Sequence, residues 1–451
     1  MAVTEFGGWI AAQAGSELPG AAVRHGARAF VDWLAATVAG GCLEPATLLS
    51  SALISDGQDR GESVIIPAGQ HASTRTAALV NGAAAHTAEV DDIFRDGIYH
   101  PGAPTIAAAL ALAQHLDASG AEFVRGFVAG YEVSTRIAAA IQPAHYTFWH
   151  TTGTVGTFGA AAAGAALLRL DGEQAAHALA TAATLAAGLQ QAFRSDAMSK
   201  PMHAGHAAEA GLLAALSAAH GVTGALDVLT GPAGFGAAMA SSPDWAAVTE
   251  GLGERWNIAD MTFKAHAACG HTFAPIDGAL ELLGSGEFPP EQVSSVVVET
   301  AAIPAEVAGN PDPQTAFEAK FSIPYAIAAA LRHGNVQLPV FEPAVRSDPG
   351  VRALMRRVQV VVDPEFTAAF PGQRAARVTV STTGGQTYTA MRWGRKGDPE
   401  DPLTDDDLQR KFSALVTPVI GPERGEELAK QAWAIHELPS SRQLALSRSR
   451  P

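Results

Sequence analysis

Apolar residues recur at helical spacing through almost all of the first 260 residues. "AVRHGARAFVDWLAATVAG" (22–40) carries this period and ends at Gly40, a suitable C-cap. "ASTRTAALVNGAAAHTAEVDD" (72–92) predicts one helix with a small-residue face. "PTIAAALALAQHLDASG" (104–120) predicts another, opening near Pro104 and closing at Gly120. The pattern runs on through "GAEFVRGFVAGYEVSTRIAAAI" and predicts helices at 154–169, 173–195, 201–220 and 223–230. Stretches such as "GAAAAGAALL" (159–168) are too short to span a bilayer. Their small side chains predict buried helices whose backbones approach closely.

Near residue 290 the period shortens. "QVSSVVVET" (292–300) reads as a strand, and "AKFSIPYAIAAALRHG" (319–334) as a helix ending at Gly334. "VRALMRRVQVVVDPEF" (351–366) reads as helix then strand, and "AARVTVSTTGGQTYTAMRW" (375–393) alternates on both sides of Gly384–Gly385, a hairpin signal. "TDDDLQRKFSALVTPVIG" (404–421) returns to helix, with Thr404 as N-cap and acids in the first turn. The predicted fold is mainly α with a smaller α+β part. A helical domain spans 1–264 and is completed by 402–451, which packs back on it. An α/β domain spans 265–401. A chain of 451 residues exceeds one ordinary core, which also argues for two domains.

Composition narrows the function. Hydrophobic residues make up 47% and charged residues 17%, the balance of a well-buried globular protein. The net charge of −15 argues against nucleic acid, whose binding needs a basic face, but leaves room for a small anion in a locally basic pocket. Cys42 and Cys269 offer no disulfide framework and no CxxC zinc pattern, which suits a reducing cytoplasm. The N-terminus lacks the basic start and apolar run of a signal peptide.

Four stretches carry chemistry. In "HTAEVDDIFRDGIYHPGAP" (86–104), His86 and Glu89 fall on one side of the predicted helix, Asp91–Asp92 mark its end, and His100 follows. Acids at a helix C-terminus oppose the macrodipole, so a carboxylate and a histidine at a pocket mouth compete with a plain solvated helix end. "FWHTTGTVGTFG" (148–159) sets His150 ahead of a helix that Thr151 or Thr152 could cap, leaving backbone N–H groups suited to an anion. In "RSDAMSKPMHAGHAAEAG" (194–211), Pro201 suits N1, Lys200 stands at the helix entrance, and His203 and His206 share a face. Lys200 there adds to the positive end of the dipole and attracts a carboxylate. "FKAHAACGHTFAPID" (263–277) gathers Lys264, His266, Cys269 and His271. This spacing matches no strong metal pattern, and a cysteine nucleophile has no acyl-transfer context, so a cationic, proton-trading pocket fits better.

At these residues the chain resembles the MmgE/PrpD family. "NGAAAHTAEVDD" with a following His-Pro, "HTTGTVGTFGAAAAGAA", "KPMHAGHAAEAGLLAALSAAHGVTGALDVLTGPAGF", "FKAHAACGHTFAPID" and "AKFSIPYAIAAAL" look like its blocks, in order. The resemblance implies a large helical domain built from both chain ends, a smaller α/β lid, a homodimer, and neither metal nor organic cofactor. Members include 2-methylcitrate dehydratase, cis-aconitate decarboxylase and iminodisuccinate epimerase, all working beside a carboxylate of a small di- or tricarboxylate. Pocket residues carry over onto Asp91 or Asp92, His100, His150, Lys200, Lys264 and Tyr325. Ile93 stands where decarboxylases have threonine, Glu89 where they have aspartate, and the spacer to His100 is longer, which favours a dehydratase-like hydro-lyase or an epimerase. On this reading Lys200 and Lys264, with Arg194, hold substrate carboxylates, and His150 or His100 takes the proton. The other histidine, or Tyr325, returns a proton, and Asp92 orients a histidine. His203, His266 and His271 complete the expected binding set.

Overall fold

The computed structural model describes residues 2–54, 59–195, 197–370 and 372–446. The fold is mainly α with a smaller α/β part. It divides into two compact units, Met1–Thr262 with Thr404–Pro451, and Phe263–Leu403. Phe263 and Lys264 therefore group with the second unit rather than the first.

The first unit is a stack of helices: α1 (Ala2–Gln13), α2 (Gly20–Gly40), α3 (Thr74–Thr87), α4 (Gly102–Leu116), α5 (Gly120–Ile141), α6 (Gly156–Leu167), α7 (Gly172–Leu185) and α8 (Ser199–Ala219). A later helix, Asp405–Ile420, opens with a Thr404–Asp407 capping box and packs on α2. Helix α8 lies against α3 and α6. Small residues make those approaches possible. A Cβ on Gly205 of α8 would sit 2.2 Å from the Leu79 carbonyl of α3, and one on Gly211 2.5 Å from the Thr157 carbonyl of α6. Both neighbours are backbone and cannot swing aside. Gly205→Ala is thus expected to destabilise the fold by about 1–3 kcal/mol, the range of core overpacking, seen as a lower denaturant midpoint at unchanged slope.

The second unit holds a four-stranded sheet of β1 (Val293–Thr300), β2 (Val358–Val362), β3 (Ala376–Thr382) and β4 (Thr387–Arg392). Its order is β2-β1-β3-β4, with β1–β2 parallel and the other pairs antiparallel. Val296, Val298, Val378 and Val380 are buried, as a period-two pattern requires. Helix α9 (Phe273–Gly284) packs on β3 and β4, and α10 (Ile323–His333) packs on α9.

Several predicted elements are shorter than their sequence pattern. The 72–92 pattern makes a helix only over Thr74–Thr87; Glu89 then turns the chain with φ 62. Glu89 and Asp91–Asp92 are therefore loop residues, not the end of a helix. Helix α4 stops at Leu116, with Asp117 left-handed at φ 53, and Gly120 begins α5 instead of closing α4. The 173–195 pattern breaks between Leu185 and Gln191. Residues 223–230 form turns rather than a helix. There the Gly224 N–H meets His177 Nδ1 at 3.2 Å and its Cα faces the α7 backbone, where tertiary contact overrides propensity.

Candidate active site

The first unit gathers its buried polar residues where α3 ends, α8 begins and the 88–101 loop runs between them. Helix α3 is capped by Ser73, whose side chain accepts from the Thr76 N–H, and carries His86 in its last turn. The loop is tied at many points. Ile93 and Thr262 exchange backbone hydrogen bonds, as do Phe94 and Tyr99. Gln142 Nε2 donates to the Gly97 carbonyl at 2.8 Å, and the His100 N–H to Thr152 Oγ1 at 3.3 Å. Lys411 of the helix Asp405–Ile420 holds the Val90 carbonyl at 2.6 Å and Asp32 at 2.5 Å. The site is thus pinned by elements far apart in sequence.

Asp91 Oδ2 lies 2.7 Å from His86 Nδ1 and 3.3 Å from His100 Nδ1. The His86 ring meets the His100 ring edge-on at 4.8 Å and stacks on His150 at 5.4 Å. His150 Nδ1 lies 3.1 Å from His203 Nδ1. Lys200, in the first turn of α8, pairs with Glu89, and both are buried. Burial holds the His150 imidazole well below its ordinary range, reinforced by His86, Lys200, His203 and His100 around it. The same cause, with His86, His206 and Lys200, holds His203 down to about 4. At neutral pH these two rings are uncharged. His100, at 17% side-chain exposure, is the cluster's opening to its surroundings.

His150 is itself the residue before the short helix Thr151–Thr154, and no threonine side chain caps it. Thr151 instead accepts from Gln142 at 2.9 Å. The predicted threonine cap is therefore absent, because the loop uses these hydroxyls. Arg194 is exposed, its guanidinium on the Thr147 carbonyl at 3.3 Å. His206 contacts the Leu185 carbonyl at 3.3 Å.

In the second unit Lys264 is buried at 2% exposure. The segment around it is held by Phe263 N–H on Gly397, Ala267 N–H on Val336 and Gln337 on the Ala265 carbonyl. His266 Nε2 lies 2.8 Å from Asp277 Oδ1, and Asp277 also accepts the Lys396 N–H at 2.8 Å. Burial, then Arg374 and Arg395, holds His271 down to about 3. The Tyr325 hydroxyl donates to the Val340 carbonyl, and burial pushes that phenol up to about 12.

The MmgE/PrpD N-terminal domain matches residues 4–248 and the C-terminal domain residues 266–435. The chain belongs to the MmgE/PrpD family. It is similar to the cis-aconitate decarboxylase-like protein oryM of Aspergillus oryzae, at 28% identity over 96% of this chain and 94% of that one. It is also similar to the cis-aconitate decarboxylases of Homo sapiens and Mus musculus, each 28% identical over 80% of this chain and 76% of theirs. Within this MmgE/PrpD chain, no described helix is long and apolar enough to cross a membrane.

His86, Asp91 and His100 present donor types that suit a divalent cation, within 4.8 Å of one another. The 2.7 Å spacing of His86 and Asp91 is, however, that of a shared proton. The geometry pairs these side chains with each other.

Asp92 sits behind the cluster. It accepts from the Gly102 N–H at 3.0 Å and the Tyr131 hydroxyl at 2.7 Å, whereas Asp91 is the carboxylate beside the histidines. Burial, with Asp32 nearby, pushes the Asp92 carboxyl up to about 8. The folded state then binds this proton more tightly than the unfolded one. The contribution to stability is complete below the ordinary value of 3.8 and lost as pH climbs to about 8. Asn in place of Asp92 keeps an acceptor for the Gly102 N–H, and its amide N–H can donate to the Tyr131 oxygen in place of the hydrogen bond that Tyr131 gives Asp92. Asp92→Asn is expected to exceed wild-type Tm by a margin that widens from pH 5 to pH 8, read from unfolding curves across that range.

The residue that sequence reasoning undervalued is His86. Its only signal is the five-residue step to Asp91, which has meaning only once the helix is known to stop between them.

Proposed function

We propose that this protein is an acid–base enzyme that removes a proton from carbon next to a carboxylate of a small di- or tricarboxylate. The observation that carries the reading is the pairing of partly open His100 with buried Asp91, in a cluster whose His150 also feels the buried cation Lys200. A proton next to a carboxylate is barely acidic, and its removal adds charge to an anion. A fixed cation in a dry site lowers that cost, because it faces the charge that develops in the transition state. His100 Nδ1 faces Asp91 Oδ2 at 3.3 Å, so we assign Nε2 as the nitrogen that accepts the carbon-bound proton, while the C–H electron pair delocalises into the carboxylate. Asp91 stabilises the resulting imidazolium. Uncharged His150 supplies a hydrogen bond without repelling that new charge. The proposed step needs neither metal nor organic cofactor.

Loss of a β-hydroxyl from the enediolate gives a hydro-lyase of the 2-methylcitrate dehydratase type, the first choice. Return of a proton to the opposite face gives an epimerase of the iminodisuccinate type. A second reading has its own support, since the relatives above are named cis-aconitate decarboxylases. There a C–C bond breaks with loss of carbon dioxide, and the electron pair left on carbon takes its proton from His100. Ile93, in the position where the family's decarboxylases have threonine, weighs against it. Roles for Lys264 as a second cation and Tyr325 as proton donor, with His266 and His271 supporting, are proposals that rest on the family likeness. So are a homodimer and a cytoplasmic location. The two cysteines form no disulfide, which a reducing compartment permits.

Incubation with citrate-like, aconitate-like and iminodisuccinate-like acids, followed by NMR, tests the function. New vinylic protons mark dehydration, loss of a carboxyl carbon marks decarboxylation, and inverted configuration marks epimerisation. Binding of these acids without turnover would mark a silent member of the fold and overturn the enzymatic reading.

A further inference from the structure

His86 has no part in the chemistry above, yet it stands at the centre of the cluster. Its side chain is fully buried, with relative exposure of 0%. Nδ1 meets Asp91 Oδ2 at 2.7 Å, which fixes its proton on Nδ1. Nε2 is buried with no hydrogen-bond partner among the described residues. The ring is held in orientation by that one hydrogen bond and by stacking on His150. The oxygen that His86 holds is the same Oδ2 that faces His100 Nδ1 at 3.3 Å. Two histidines from different elements, α3 and the 88–101 loop, thus face one carboxylate oxygen, His86 through a hydrogen bond and His100 at ion-pair distance.

We propose that His86 is the positioning residue of this site, acting through Asp91 to fix the orientation of His100 and to limit its basicity. The role rests on the acid–base reading for its purpose, but the coupling itself does not. A carboxylate's hold on an imidazolium weakens as other donors draw on the same oxygen. With His86 in place, Asp91 is shared, and His100 releases its proton more readily. Without it, a larger share of the Asp91 charge falls on His100. Among the described residues, the charged and titratable groups near this pair include His150, Lys200 and His203 on their elements, with Glu89 and Asp92 on the loop. Lys200 is matched by Glu89, Asp92 is engaged by Tyr131 and Gly102, and burial keeps His150 and His203 uncharged. The shared carboxylate is therefore the variable that His86 controls. A histidine that merely filled the core would move stability and leave the titration of His100 where it was.

The test is a titration of full-length protein labelled with 15N-histidine, followed through the imidazole nitrogens without any substrate. In the wild type, His86 is expected to show the Nδ1-protonated tautomer, and its nitrogen shifts to respond at the midpoint of His100. In His86→Leu the His100 midpoint is expected to rise by roughly one pH unit, the scale of a lost hydrogen bond to a charged group. In His86→Gln, whose amide can donate to Asp91, the midpoint is expected to return towards the wild type. A His86 protonated on Nε2, or nitrogen shifts indifferent to His100, would overturn the proposal from the wild type alone, even if the leucine variant fails to fold. An unmoved His100 midpoint in folded His86→Leu would overturn it too. So would stoichiometric capture of His86 and His100 by added Zn2+, which would make the cluster a metal site. Failure of the polycarboxylate assay would leave these readings untouched, so the two ideas fail separately.

Discussion

Asparagine in place of His100 is expected to lower turnover by roughly 10²–10⁴-fold, the usual contribution of a positioned general base. The folded state should change little. His100 is partly open, and the loop holds its position through its N–H on Thr152 and the Phe94–Tyr99 pairing rather than through its ring. Its ring nevertheless faces Asp91, so the variant removes the proton acceptor and leaves the carboxylate with His86. The check pairs the rate on whichever acid is turned over with Tm measured on the same preparation. A rate within twofold of wild type would take His100 out of the mechanism.

Lys200 is expected to give the second large effect, and here stability and chemistry must be separated. Lys200→Met breaks the buried ion pair with Glu89, and removing one member of such a pair costs about 3–5 kcal/mol. Glu89 also holds a left-handed backbone at φ 62, so its surroundings already carry strain. Glu89→Gln added to Lys200→Met removes the buried negative charge as well and should recover most of that stability, since an apolar or neutral pair of similar volume is often tolerated. It should not recover rate. Both variants are expected to fall by about 10²-fold or more, because neither presents a cation to the developing negative charge. Recovery of rate together with stability in the double variant would make the pair structural only.

Much of the fold was legible because it is periodic. The hairpin at Gly384–Gly385, the Gly334 stop and the Thr404 cap follow from local chemistry, and the structure has each of them. Helix ends were less legible where tertiary contacts decide them. Nothing local in "AHTAEVDD" announces that the helix ends at Thr87, because part of the reason is Lys411, over three hundred residues away, holding the Val90 carbonyl. That ending reassigns the site's parts. With Asp91 and Asp92 on a loop, the two acids point to different neighbours, and Asp91 rather than Asp92 meets His100. The sequence pattern named the right residue types but could not tell these adjacent acids apart. Likewise Lys200 was readable as a cation at a helix start, whereas its partner Glu89 was not, since the two lie 111 positions apart.

If the reading holds, this cluster ionises a carbon acid. Incubating the protein in deuterated water with the polycarboxylate panel, and following the substrate's own C–H signals, measures that step whichever product forms. One carbon-bound proton next to a carboxylate is expected to exchange for deuterium with wild-type protein, and to do so far more slowly with His100→Asn. Turnover that proceeds with every such proton retained, or equal exchange by the variant, would contradict it.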